Sequence, residues 1–241
     1  MTEVAKGVSF IPGQDDFIPD SHVYVLGDPA SQDLSLVDAG LVRKGKYKVG
    51  SIKKMGIDPS AIKRVIMTHT HLDHIGCLAE ILGEIPGAEL WVQTLEAEQL
   101  EQGDERTVHG MEMFRSMCEM QFGVKPGDFK FQVHRTLEGG ESLDIGGMTW
   151  EVIHIPGHSM GGIALYNRPQ KILIPGDVVY ADYAIGRFDL YGADASELKK
   201  SLFTLAELEV DILLPGHNRI VQGLPAGYIL QTAKQWEAYL A

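Results

Sequence analysis

The sequence predicts an α/β fold built as one domain over residues 1–241. Three observations predict it. Short apolar runs alternate with amphipathic segments, the pattern of strands returning through helices. Apolar residues make up 44% and charged residues 22%, the balance of a chain with a sizeable core. No tandem repeat, low-complexity tract or Pro/Ser-rich linker divides the chain.

Taken in order, His22–Leu26 and Leu34–Val37 read as strands, the second ending in an Asp38-Ala39-Gly40 turn. Lys46–Met55 reads as a helix. Arg64–Met67 is a strand that runs into a histidine-rich loop, Ile75–Leu82 a helix and Ala88–Val92 a strand. A helical insertion is expected at about 94–123, because Asp104 is a fitting N-cap, Gly123 a fitting stop, and the interval suits one helix over 104–122. Phe129–Val133, Met148–Ile153, Ile163–Tyr166 and Lys171–Ile174 read as strands. Ser196–Leu208 reads as an amphipathic helix, Ile212–Leu214 as a strand and Ile229–Leu240 as a closing helix.

The 104–122 helix has two apolar faces. At ~100° per residue, Val108, Met111, Phe114, Cys118 and Phe122 share one, while Met113, Met117 and Met120 lie nearly opposite. Two uses stay open. Both faces pack, within the subunit or in a homodimer, or the helix is a lid whose methionines line an apolar pocket.

The net charge of −12 disfavours nucleic acid and anionic membranes, whose binding rests on Lys and Arg. No run approaches the ~18 apolar residues of a membrane span, and Met1–Phe10 has no signal-peptide pattern. Cys77 and Cys118 form no spaced set and read as buried thiols. The expectation is a cytoplasmic protein whose partner is a small-molecule substrate.

The strongest signal is Thr68-His69-Thr70-His71-Leu72-Asp73-His74. Core packing is a poor explanation for three histidines and an aspartate in six residues. On a tight loop all four reach one cleft, and imidazole and carboxylate are ligands for zinc, iron and manganese. Three further junctions share one grammar of apolar strand, Pro-Gly turn and a metal-capable side chain: Pro156-Gly157-His158, Pro175-Gly176-Asp177 and Pro215-Gly216-His217. Singly, each could be a mere turn. Together they extend the donor set beyond one tetrahedral ion.

This set resembles the ligands of the metallo-β-lactamase-fold hydrolases, a family that includes glyoxalase II-like thioesterases, lactonases, tRNA-processing nucleases and persulfide dioxygenases. The resemblance runs from about Val23 to His217. It implies an αβ/βα four-layer sandwich with the site at one edge. It also implies that His69, His71 and His158 hold one metal, that Asp73, His74 and His217 hold a second, and that Asp177 bridges them. Tyr180, three residues after Asp177, is similar to a lactonase tyrosine whose hydroxyl meets a substrate oxygen; packing on a strand is its other reading. Asp38 is expected to buttress the metal loop through hydrogen bonds. Arg187 and Asp189 are expected to pair and fix their loop. His22, His109, His134 and His154 have no ligand grammar and read as structural or surface residues.

The expected function is therefore a dinuclear hydrolase. Two divalent cations, zinc first with iron or manganese open, would bring a bridging water toward ionisation near neutrality, with Asp73 aiming the hydroxide at a small ester, thioester or lactone. A mononuclear iron persulfide dioxygenase using His69, His158 and Asp177 stays open as the alternative. A metallo-nuclease fits the acidic charge poorly.

Overall fold

The structure, a computed structural model, describes residues 2–14 and 18–240. Met1 and Ala241, the bounds of the expected domain, lie outside the described residues. The chain runs β1 (Thr2–Ala5), β2 (Val8–Ile11), β3 (Val23–Leu26), β4 (Leu34–Val37), α1 (Gly45–Lys54), β5 (Ile62–Ile66), α2 (Leu72–Ile75), α3 (Leu78–Glu84), β6 (Glu89–Gln93), α4 (Thr94–Gln102), α5 (Arg106–His109), α6 (Glu112–Phe122), β7 (Arg135–Leu137), β8 (Ser142–Ile145), β9 (Met148–His154), β10 (Ile163–Asn167), β11 (Ile172–Ile174), α7 (Ala195–Ala206), β12 (Ile212–Leu213), β13 (Val221–Gln222) and α8 (Tyr228–Trp236).

Two sheets form, in the orders β1-β2-β3-β4-β5-β6-β7 and β13-β12-β11-β10-β9-β8. In the first, β4 through β7 are parallel and β1 through β4 antiparallel. In the second, only the β11–β12 pair is parallel, with Leu173 opposite Leu213.

Alternation sorts the apolar side chains into three cores. Val23 and Val25 of β3 face Val49 and Ile52 of α1 and Leu78 and Ile81 of α3. Tyr24 and Leu26, on the other face, join Ile163, Leu165, Ile172 and Ile174 between the sheets. Ala164, Tyr166 and Leu173 turn outward to Leu198, Leu202 and Leu205 of α7 and to Ile229 and Ala233 of α8. Strands apolar on both faces thus demand a helical layer outside each sheet, which gives the αβ/βα sandwich. Among the described residues no helix is long and apolar enough to cross a membrane.

Four expectations need correction. Residues 104–122 form two helices. Gly110 takes φ +71°, its carbonyl accepts from Tyr191 N at 2.8 Å, and Met111 restarts in extended backbone before α6. The lid reading holds for Met117 alone of the three methionines, since it lines the cavity described below while Met113 and Met120 are 67% and 83% exposed. Phe129–Val133 is no strand. The amides of Phe129 and Val133 donate to Glu105 and Glu101 side chains, so pairing with β6 begins only at Arg135. The helix expected over Ile75–Leu82 is broken between α2 and α3, where Cys77 N donates to Gly40 O at 3.0 Å. Beyond these, β1, β2, β8 and β13 carry too weak or too short a pattern to be anticipated, while α4 falls within the expected helical insertion.

Candidate metal centre

The carboxyl ends of strands in both sheets meet at one edge of the sandwich, where the side chains of open α/β folds gather around ligands. Strand β5 ends at Ile66, and the next residues, Met67–His71, form a loop. His71 is the extended N-cap of α2, so Asp73 and His74 lie on that helix's single turn. Strand β9 leads to His158, β11 to Asp177 and β12 to His217. All seven side chains come together in two groups. One ligand atom each from His69, His71 and His158 lie within 4.8 Å of one another, as do those of Asp73, His74, Asp177 and His217. Asp177 sits between the groups. Its Oδ1 is 3.3 Å from His74 Nε2, and its Oδ2 is 3.4 Å from His217 Nε2 and 3.7 Å from His158 Nε2.

The hydrogen bonds around the rings assign their tautomers. His158 Nδ1 lies 2.7 Å from Arg187 O, which only accepts, so the proton is on Nδ1 and Nε2 carries a lone pair. Thr68 Oγ1 donates to Asp38 Oδ2 at 2.8 Å, so it accepts from His69 Nδ1 at 3.1 Å and leaves His69 Nε2 as a lone pair too. These two Nε2 atoms face each other at 3.2 Å, and His71 Nδ1 is 2.9 Å from His158 Nε2. In the second group, His74 Nδ1 donates to Asp38 Oδ2 at 2.8 Å, which turns the Nε2 lone pair toward Asp177 Oδ1. Both of those atoms are buried and complete no hydrogen bond. Acceptors facing acceptors in a buried space are stable only with positive charge between them. The donor set, imidazole and carboxylate, fits divalent cations.

Proton affinities follow the same geometry. Burial above all, with neighbouring imidazoles, holds His69 well below the usual histidine range and pushes His71 down to about 3. Burial also lowers His158. For His74, burial works downward, but Asp177 and Asp38 together outweigh it and raise the ring well above its ordinary value. His217 is likewise raised, against burial, by Asp177 and Asp73. The second group therefore takes up protons where cations would sit.

Surrounding residues fix the ligands. Asp38 has φ +63°, a conformation aspartate tolerates, and also accepts from Thr68 N at 2.7 Å. Ser21 N donates to Asp73 O at 3.1 Å and His22 N to Gly216 O at 2.8 Å, which ties residues 21–22 to the ligand loops. A buried Lys48–Asp20 ion pair at 3.0 Å anchors that segment. Two glycines permit the crowding. A Cβ on Gly216 would lie 2.1 Å from Asp177 Oδ1, and one on Gly186 would lie 2.8 Å from His158 Nδ1.

A cavity of about 610 Å³ opens onto these residues. Ile18, Leu72, Val108, Phe114, Met117 and Leu190 supply its apolar wall. Tyr180 lines it beside Asp177, its ring edge-on to His217 at 6.4 Å between centroids. The Arg187 guanidinium pairs with Asp189 at 2.7 and 2.8 Å and stacks over Phe114 at 5.3 Å. His109 also lines the cavity, with both ring nitrogens buried and without a hydrogen bond and Nε2 3.8 Å from Glu105 Oε2, a position its surroundings in the sequence do not signal. His22, His134 and His154 make structural hydrogen bonds with Gly13, Leu90 and Met160. The contributions of Phe114 and the Arg187 carbonyl carry no ligand grammar; Gly186, just before Arg187, is the one local signal.

Comparisons with known proteins bear on the family and the fold. The profile of the family described as the metallo-beta-lactamase superfamily matches residues 19–217. The chain is 31% identical over 174 residues to the probable metallo-hydrolase YqgX of Bacillus subtilis strain 168, covering 71% of each chain. It is 29% identical over 161 residues to hydroxyacylglutathione hydrolase GloC of Haemophilus influenzae, covering 65% of this chain and 69% of that one. Among solved structures, BLEG-1 B3 metallo-beta-lactamase shares the fold with a TM-score of 0.71 at 24% identity, over 89% of this chain and 93% of that one.

Proposed function

The chain belongs to the metallo-beta-lactamase superfamily of metal-dependent hydrolases, and from that premise we propose that it cleaves a small ester, thioester or lactone with two divalent cations, zinc foremost. His69, His71 and His158 would hold one, Asp73, His74 and His217 the other, and Asp177 would touch both. The single observation that carries this reading is the position of Asp177, within 3.3 to 3.7 Å of imidazoles from both groups. The convergence of Asp73, His74 and His217 on Asp177 also favours it over a mononuclear dioxygenase, which would take Asp177 and leave the other three without a metal.

When bound, the cations supply Lewis acidity and bring a water's pKa toward neutrality. The chain's own residues do the rest. Asp38 and the Arg187 carbonyl hold protons at His74 Nδ1 and His158 Nδ1, which keeps each Nε2 aimed inward. Asp73 keeps its carboxylate ionised, pushed down to about 2 by its hydrogen bond to His217 and by His74, against the opposing effect of burial. Tyr180, which lines the cavity, would donate its hydroxyl to a substrate oxygen, and the apolar wall would orient the acyl group and exclude water. GloC acts on a hydroxyacylglutathione by its name, and a thioester belongs in any panel for this chain.

The test is metal content per chain with turnover of an ester, thioester and lactone panel, for the native chain and for Asp177→Ala. Near two metals and turnover in the native chain, both lost in the variant, is the expected result. Near one iron with oxygen consumption, or full activity in the variant, contradicts the proposal.

A further inference from the structure

Tyr180 reaches the cavity from a turn with unusual backbone. Asp182 and Tyr183 are consecutive non-glycine residues at φ +58° and +59°, in the left-handed region that side chains disfavour. Such strain persists only where the surroundings over-determine it, and it gathers at functional sites.

The surroundings here come from α8. The left-handed pair is the centre of a turn over residues 181–184, which Ala184 N closes on Ala181 O at 3.2 Å, and this leaves the Tyr183 amide and the Tyr180 carbonyl beside it to find other partners. The Tyr228 hydroxyl stands between those two groups. It accepts from Tyr183 N at 2.7 Å and donates to Tyr180 O at 3.0 Å. Its ring stacks on Tyr183, with centroids 4.5 Å apart and 20° between planes. Trp236 Nε1 donates to Tyr183 O at 2.8 Å. The flanks are closed by Tyr180 N on Ala184 O at 2.9 Å and by a bridge between Val179 and Ile185. Asp182 pairs with Arg219 at 2.7 Å, two residues after His217.

We infer that Tyr228 is a positioning residue: its hydroxyl, bonded to Tyr183 N and Tyr180 O beside the 181–184 turn, sets the Tyr180 side chain against the substrate cavity. The left-handed pair belongs to the closed 181–184 turn itself, and the two bonds from the hydroxyl pin that turn to the residue that precedes it. Without them both groups lose their partner, and the Tyr180 backbone is free to shift its ring relative to Asp177 and His217. The hydroxyl belongs to a helix 45 residues further along the chain, so the C-terminal helix contributes to substrate placement without touching the cavity. This rests on the reading of the cavity as the substrate site of a hydrolase.

The test is Tyr228→Phe in metal-loaded protein, which keeps the ring stack and removes both bonds. Amide hydrogen exchange at Tyr183 should rise roughly tenfold, the scale of one lost hydrogen bond. On whichever p-nitrophenyl ester the native chain hydrolyses, kcat should fall by roughly tenfold with metal content unchanged. Placed in a Tyr180→Phe background, the same change should add no further loss, because Tyr228 acts through Tyr180. Unchanged exchange at Tyr183 overturns the inference. So does a loss of kcat that is as large in the Tyr180→Phe background as in the native one, since a general structural role would persist there. A native chain that hydrolyses no ester, thioester or lactone sinks the hydrolase reading instead, and exchange at Tyr183 then decides whether the hydroxyl holds the turn.

Discussion

The Asp38 carboxylate accepts from His74 Nδ1 at 2.8 Å while its other oxygen accepts from Thr68 N at 2.7 Å. One side chain thus sets both the tautomer of a candidate ligand and the start of the loop that carries two others. Asp38→Asn separates these roles. Asparagine tolerates the φ of +63° and still accepts from Thr68 N. It cannot accept from His74 with its NH₂ group. We expect metal affinity to fall by about 10–100-fold at the second group, and to fall at the three-histidine group too, because Thr68 Oγ1, which orients His69, loses the same acceptor oxygen. Metal content after dialysis against graded chelator checks this; native retention of both ions contradicts it.

The metal-free chain should lose stability in weak acid. His69 and His158 are depressed and His71 is pushed down to about 3, with burial the largest cause in each. The unfolded chain binds protons at these rings near the ordinary histidine value of about 6.5, and the folded chain does not, so their contribution is present above that value and lost from there toward 3. His74 and His217 have the opposite sign: raised by carboxylates, they contribute fully below about 6.5 and fade as pH rises through their folded values. Three rings against two give a net fall from pH 7 to 5. Urea midpoints of chelator-treated protein measure it, and a midpoint that rises over that interval contradicts the burial argument.

Gly216→Ala should cost metal rather than fold. The added Cβ meets Asp177 Oδ1 at 2.1 Å and His74 Cε1 at 2.7 Å, so both side chains must move. We expect an unchanged far-ultraviolet circular dichroism spectrum with most of the metal lost. A variant holding the native metal content would mean that the ligand shell yields more easily than its packing indicates.

Met117→Trp should narrow the cavity. Met117 lies on its wall with Phe114 and Leu190. On esters of increasing acyl length, kcat/KM should fall roughly ten- to a hundredfold for the longer chains and stay near native for acetyl. A uniform fall across the series would show that the bulkier ring disturbs the site itself.

Much of this centre was legible from residues 68–74 and the three Pro-Gly junctions, because ligand-type side chains at strand ends are a local pattern. Asp38 was legible too, as a charged residue in a turn beside the loop. The sandwich was legible only through the resemblance of the ligand set to the metallo-β-lactamase-fold hydrolases, which implied it. What escaped is non-local. The period of 3.6 continues across Gly110, so periodicity alone does not see the break between α5 and α6. Phe129–Val133 alternates as a strand does, yet Glu101 and Glu105 take its amides. The turn beside Tyr180 is pinned by a hydroxyl that no pattern around Tyr180 announces.

Half of the cavity's apolar wall comes from a part of the chain that supplies no ligand. Val108, Phe114 and Met117 belong to α5 and α6, between adjacent parallel strands β6 and β7, whereas the ligands sit at strand ends and their loops. They are joined at Arg187, whose side chain stacks on Phe114 and whose carbonyl holds His158. Residues 104–122 are therefore free to drift under selection for a new substrate while the ligand loops stay fixed, and Arg187 marks where such drift would first be felt as a change in the chemistry.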